Sequence, residues 1–203
     1  MEATEKVIKA PVYKKEDVLV VPRKYIFAQA SSWYGINKEI FDFCVTATNQ
    51  HKLFISRQIA ETDPTYKQII PYMVFQFEDT YFVMQRKKTA GEQRLASLYS
   101  IGIGGHIRKE DMTDDSIYTW AQREFEEEIN YSGNLEIHNL GVLNDDTTEV
   151  GEVHLGLLLL LKGDNGNISI KDEHKSGQLM TLEECKSMID SFEPWSKFAL
   201  EAL

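Results

Sequence analysis

The run LGLLLLL, Leu155 to Leu161, has six leucines in seven consecutive positions. A strand with one wet face alternates apolar and polar residues, and this run does not. It fits a central strand covered on both faces. It is far too short to span a bilayer. The neighbouring segments agree. IIPYMVFQFE and TYFVMQRKK read as strands joined tightly at Asp79, and SLYSIGIGGHI as an extended segment ending in paired glycines. LEIHNLGVLNDD and EVHLGLLLLLK read as strands around the turn TTEVG, and NISIKDEH and GQLMTL as shorter ones. Helical spacing covers residues 37–48, Asp115 to Asn130, Leu182 to Asp190 and Pro194 to Leu203. Together these predict an α/β sandwich, a mixed sheet covered by helices. A boundary near residue 68 separates an N-terminal extension, 1–68, from a unit spanning 69–203.

The formal net charge of -10 over 203 residues repels phosphate backbones, which argues against large nucleic acids as partners. A small phosphorylated substrate is compatible with that charge if a cation or a local basic patch neutralises it. Cys44 and Cys185 form no CxxC pair and read as small core side chains. The N-terminal stretch MEATEKVIKAPVYKKED lacks the apolar core of a signal peptide. The expectation is a soluble, cytoplasmic protein with no membrane partner.

The chemistry concentrates in REFEEE, Arg123 to Glu128. On a helical wheel Ile117, Ala121, Phe125, Tyr118 and Ile129 cover one apolar arc. Glu124, Glu127 and Glu128 line its rim, and Glu126 points away. Crowding them is costly: like charges at i,i+4 are unfavourable by about 0.2–0.5 kcal/mol per pair. Acids near a helix C-terminus also oppose the macrodipole. Two readings fit: a solvated charged face, as most glutamate runs are, or a site for a divalent cation with hard oxygen ligands. Gly104-Gly105 sit where a backbone group can approach an ion or phosphate closely, although a simple turn also uses paired glycines.

The stretch resembles the Nudix box of the MutT-like hydrolases, G-x5-E-x7-R-E-U-x-E-E-x-G-U with U apolar. Arg123 to Glu128 match its R-E-U-x-E-E core, and Gly105 its leading glycine. The loop from Gly105 to Arg123 is four residues longer than the pattern. Asp115 stands at the early glutamate, with Glu110 as a substitute from the loop, and Asn130 at the late glycine. VLVVPR, GVLNDDTTEVGEVHLG and WSKFALEAL extend the similarity, toward a branch described as MutT-type phosphoesterases.

The resemblance implies a Nudix-type α/β/α sandwich and metal-dependent hydrolysis of a phosphoanhydride in a nucleoside diphosphate linked to another moiety. It implies Mg²⁺ (or Mn²⁺), held by Glu124, Glu127 and Glu128 with the Gly105 carbonyl as a further ligand. Arg123 would orient a helix carboxylate. The candidates for general base are Glu124 and then Glu173. Arg86, Lys87, Lys88 and Arg94 form the nearest basic group for substrate phosphates, or a solvated hairpin tip, and His106, which follows the glycines, either lines the site to contact substrate or packs. Asp145, Asp146, Glu149, Glu152 and His154 form a second polar cluster, read either as ligand contacts or as an ordinary turn with a cross-strand pair. Trp33, Trp120 and Trp195 read as packing. A Nudix-fold protein that binds a nucleotide without cleaving it is the alternative. The extension can cover the site, shape specificity or build a homodimer contact.

Overall fold

A computed structural model describes residues 16–86, 98–112, 114, 116–171 and 174–203. The β-branched run of β1 (Asp17–Pro22) stops at a proline, which has no N–H for a ladder. There follow α1 (Arg23–Ile26), β2 (Gly35–Asn37), α2 (Phe41–His51), β3 (Leu53–Ser56) and α3 (Arg57–Ala60). The hairpin β4 (Tyr66–Phe77) and β5 (Thr80–Arg86) turns at Glu78, which takes φ 50°. Short strands β6 (Tyr99–Ser100) and β7 (Gly102–Ile103) lead through a 3-10 turn, Lys109–Asp111, to α4 (Ile117–Glu128). The chain continues as β8 (Ile129–Tyr131), β9 (Leu135–Asn144), α5 (Glu149–Val153), β10 (His154–Gly163), β11 (Ile168–Ile170) and β12 (His174–Thr181). It closes with α6 (Leu182–Ser187) and α7 (Pro194–Ala202).

The main sheet runs β12-β5-β4-β10-β9-β2. The leucine run is the buried middle of β10, parallel to β4 and antiparallel to β9. Its side chains split between two layers. Leu155, Leu157, Leu159 and Leu161 join a core with Phe41 and Cys44 of α2 and Ile117, Ala121 and Phe125 of α4. Leu158 and Leu160 join a second core with Cys185 of α6 and Ala199 and Leu200 of α7. This is an α/β/α sandwich. Burying one such leucine contributes about 1.5–3 kcal/mol, so a strand buried on both faces anchors both layers. Both cysteines are free, and burial pushes the thiols up to about 12 (Cys44) and about 11 (Cys185).

Residues before 68 belong to the same sheet. β1 pairs with β3 and with the start of β4, and β2 pairs with β9. An ion pair with one fully buried partner strengthens the join. Lys67, fully buried on β4, donates from Nζ to Asp146 at 2.7 Å, to the Gly151 carbonyl at 2.8 Å and to the His154 carbonyl at 3.1 Å. Arg23 and Ser32 also donate to Asp146. Burial lowers the Lys67 ammonium to about 8 against the pull of Asp146. Burial also works to raise Asp146, but the bonds from Arg23, Lys67 and Ser32 outweigh it and hold the carboxyl well below its usual range.

Two sequence expectations change here. EVHLG is not strand throughout: Glu152 lies in α5, capped by the Thr148 hydroxyl accepting from the Gly151 amide, and β10 begins at His154. The helix expected to reach Asn130 ends at Glu128. The chain leaves the helix directly into β8, where Asn130 pairs with Ser169. Among the described residues no helix is long and apolar enough to cross a membrane.

Removing Asp146 leaves a buried ammonium with only carbonyl partners. Asp146→Ala should lower unfolding free energy by about 2–3 kcal/mol, discounted because Asp146 is partly exposed. Urea unfolding checks this; an unchanged midpoint would deny the tether any role.

Candidate active site at the glycine strand and helix α4

Asp114 organises the start of helix α4. Its carboxylate accepts from the Ser116 amide and the Thr119 hydroxyl, and its carbonyl from the Trp120 indole. That last bond turns Trp120 inward, 2% exposed, while Tyr118 is 42% exposed and donates to Asn139. The apolar face is therefore Ile117, Trp120, Ala121 and Phe125, with Tyr118 outside it. Glu124 shares that buried face.

The Gly-Gly segment lies over it. A Cβ on Gly104 would sit 2.0 Å from the Pro71 carbonyl oxygen of β4. A Cβ on Gly105 would sit 2.5 Å from Glu124 Oε2. Position 104 has no room for a side chain against the β4 backbone, and a side chain at 105 would displace the Glu124 carboxylate, so the backbone approaches both the sheet and the carboxylate. Burial pushes Glu124 up to about 7, against the pull of Arg123. Arg123 forks: it pairs with Glu124, donates to Glu127 at 2.6 Å and reaches the His106 carbonyl at 3.4 Å. Arg108 also reaches Glu127, at 3.1 Å.

The structure separates the sequence candidates. Gly105, Arg123, Glu124 and Glu127 are brought together, with Glu127 at the half-exposed edge. Glu128, the last helical residue, is partly buried. The helix carboxylates do not close into a trio; Arg123 stands between Glu124 and Glu127. His106 lies beside the glycines, but its ring goes elsewhere: Nε2 is 3.2 Å from His154 Nε2 and 3.7 Å from Glu61 Oε1. Burial first, then His154 and Arg57, drive the His106 imidazolium well below the usual range, so the ring is neutral at pH 7. Arg86 ends β5, and Glu110 is exposed in the 3-10 turn. Lys87, Lys88, Arg94, Asp115 and Glu173 lie outside the described residues.

Sequence reasoning missed Glu61 and Lys67. Lys67 reaches it at the start of β4, which runs beside β10, and Glu61 from the end of α3; no local sequence pattern announces either contact.

The solved structure of Tm1382, which carries a Nudix hydrolase assignment, superposes with a TM-score of 0.78. It is 32% identical and the match covers 92% of this chain and 97% of that one. The chain belongs to the Nudix hydrolase family. No protein-family model matches it. Protein YmaB of Bacillus subtilis (strain 168) is 32% identical over 200 residues, covering 93% of this chain and 97% of the relative. Two more distant structures share the Nudix fold. DR0079 of Deinococcus radiodurans has a TM-score of 0.55 at 13% identity, covering 73% of this chain and 89% of that one. The Nudix domain of Shewanella oneidensis NrtR, solved with ADP ribose, has a TM-score of 0.53 at 13% identity, covering 67% and 85%.

The raised Glu124 carboxyl fixes a sign for pH dependence. Its folded value, about 7, lies above its ordinary 4.5, so between these the folded Nudix chain holds more proton than the unfolded chain. Stability from this group is full below 4.5 and falls as pH rises toward about 7. In EDTA, wild type should lose Tm relative to Glu124→Gln across that window, with no further divergence above it. Thermal melts of both proteins along a pH series measure the difference, and parallel curves would refute the buried-carboxylate assignment.

Proposed function

We propose that this Nudix chain hydrolyses a phosphoanhydride bond in a nucleoside diphosphate linked to another moiety, with Mg²⁺ or Mn²⁺ as cofactor. The observation that carries the reading is the Glu124 carboxylate buried under the Gly105 backbone and clamped by Arg123. Burying an acid there is costly unless something positive shares the site.

The donor set fits a hard divalent cation. Glu124, Glu127 and Glu128 offer only oxygens, and Gly105 leaves its backbone open to a further ligand. Bound there, the ion would offset phosphate charge and lower the pKa of a coordinated water. The chain's own residues do the rest. Arg123 holds Glu124 and Glu127 in fixed orientation through two donor nitrogens. Glu124 is the first candidate for the general base, a role that needs an ionised carboxylate within reach of the attacking water. Glu173 remains the second candidate for that role, and Arg86, Lys88, Arg94 and His106 remain candidates for contacting substrate.

A separate cleft of about 930 Å³ lies in the N-terminal part, and its lining includes none of Gly105, Arg123, Glu124, Glu127 and Glu128. Arg23, Lys24, Tyr25, Phe27, His51 and Lys52 line it, combining cations with aromatic faces in an acidic protein.

A panel of nucleoside diphosphate derivatives tests the reading. Turnover should require Mg²⁺ or Mn²⁺, and Glu127→Gln with Glu128→Gln should reduce it about 100-fold or more. Undiminished turnover in the double variant would remove these residues from the site. Binding without turnover across the panel would favour a nucleotide-recognising regulator instead.

A further inference from the structure

The segment that presents Gly105 has a second side. Ile103 and Ile107 pack with Ile117, Ala121 and Phe125 of α4. His106 turns the other way, toward His154, whose ring packs edge-on to Trp195 of α7. Glu61, just after α3, completes a cluster whose ligand atoms all lie within 4.8 Å of one another. We propose that Glu61, His106 and His154 form a second metal site, for a borderline transition cation of the zinc class, separate from the helix carboxylates.

The donor chemistry discriminates between the two sites. Two imidazoles and one carboxylate suit zinc, cobalt or nickel, whereas magnesium prefers oxygen alone. Two of the three ligand spacings are close to what a tetrahedral ion needs, and the third lies within 4.8 Å. Ligands about 2.1 Å from a tetrahedral centre lie about 3.4 Å apart. Here the two Nε2 atoms are 3.2 Å apart, and Glu61 Oε1 is 3.7 Å from His106 Nε2. His154 is also oriented as a metal ligand requires. Its Nδ1 is 2.7 Å from the Val150 carbonyl, so Nδ1 carries the proton and Nε2 offers its lone pair. Loading an ion would require the proton between the two Nε2 atoms to move to His106 Nδ1 or to water.

The surroundings support the site. Arg57 holds Glu61 at 3.1 Å, and its charge is met by Glu16 at 2.6 Å. Gln68 pairs with His154 across the parallel β4–β10 ladder, which places both side chains on one sheet face. Its side chain is fully buried, and neither polar atom has a hydrogen-bond partner among the described residues. A metal-bound water, completing three protein ligands, would give that amide a partner. The three ligands come from positions 61, 106 and 154, so an ion there would staple α3 to the glycine segment and to β10.

Co²⁺ titration of the full, chelator-stripped chain tests this, followed by visible absorption with Zn²⁺ as competitor. One equivalent of Co²⁺ should give the intense bands of a tetrahedral site, bleached by Zn²⁺, and Zn²⁺ should raise Tm. Glu61→Gln, which keeps the volume and the bond from Arg57, and His154→Gln should each lose the bands and the Tm rise. Glu127→Gln with Glu128→Gln should keep both, which separates this site from the proposed hydrolytic one. Circular dichroism establishes that each variant is folded. Absence of tetrahedral bands in wild type would overturn the proposal. So would their survival in both single variants, or their loss in the carboxylate pair.

Discussion

Everything around α4 is arranged about one acid that has little access to water. Glu124 shares the buried face of its helix, and the Gly105 backbone lies directly over its oxygens. A side chain at 105 would push that carboxylate aside, and the Pro71 carbonyl forbids one at 104. Arg123 then binds Glu124, Glu127 and the His106 carbonyl, joining the helix to the glycine segment. Burial keeps the Glu124 carboxyl raised despite the guanidinium. A site in this condition favours a further cation.

The N-terminal residues take part in this arrangement. β1 pairs with β4, and the Leu19 amide donates to the Ile107 carbonyl at 2.8 Å, next to the segment carrying Gly105 and His106. Lys67, Arg23 and Asp146 lock the start of β4 to the loop before α5. The strand pair β4–β10 thus supports chemistry at its end: Lys67, Gln68 and His154 come from adjacent positions of the two strands. The glycine segment divides the region, with carboxylates toward α4 and imidazoles toward α3.

Much of this was legible in the sequence, for particular physical reasons. The unalternating leucines could only be satisfied between two covering layers, and β10 sits there. The carboxylates at 124 and 127 were locatable because a helix fixes their spacing from Phe125 and Ala121. Tyr118 was misplaced because a wheel cannot see Asp114 drawing Trp120 inward. The start of β10 was misplaced because Thr148 caps a short helix inside what looked like a turn. Asp146 gave no sign of its partners, since Arg23 and Lys67 lie far away in sequence. Glu61 was illegible for the same reason: its environment is made by strand pairing, and its neighbours carry no motif.

The central claim is that the energetic cost of the buried Glu124 carboxylate is relieved by a divalent ion. Carbon-13 NMR of labelled glutamate side chains, with Glu124→Gln for assignment, measures it directly. Without divalent ion the Glu124 carboxyl should titrate near 7, and on saturation with Mg²⁺ that midpoint should fall below its ordinary 4.5. A midpoint that stays near 7 in saturating Mg²⁺, or that sits at 4.5 without it, would contradict the claim.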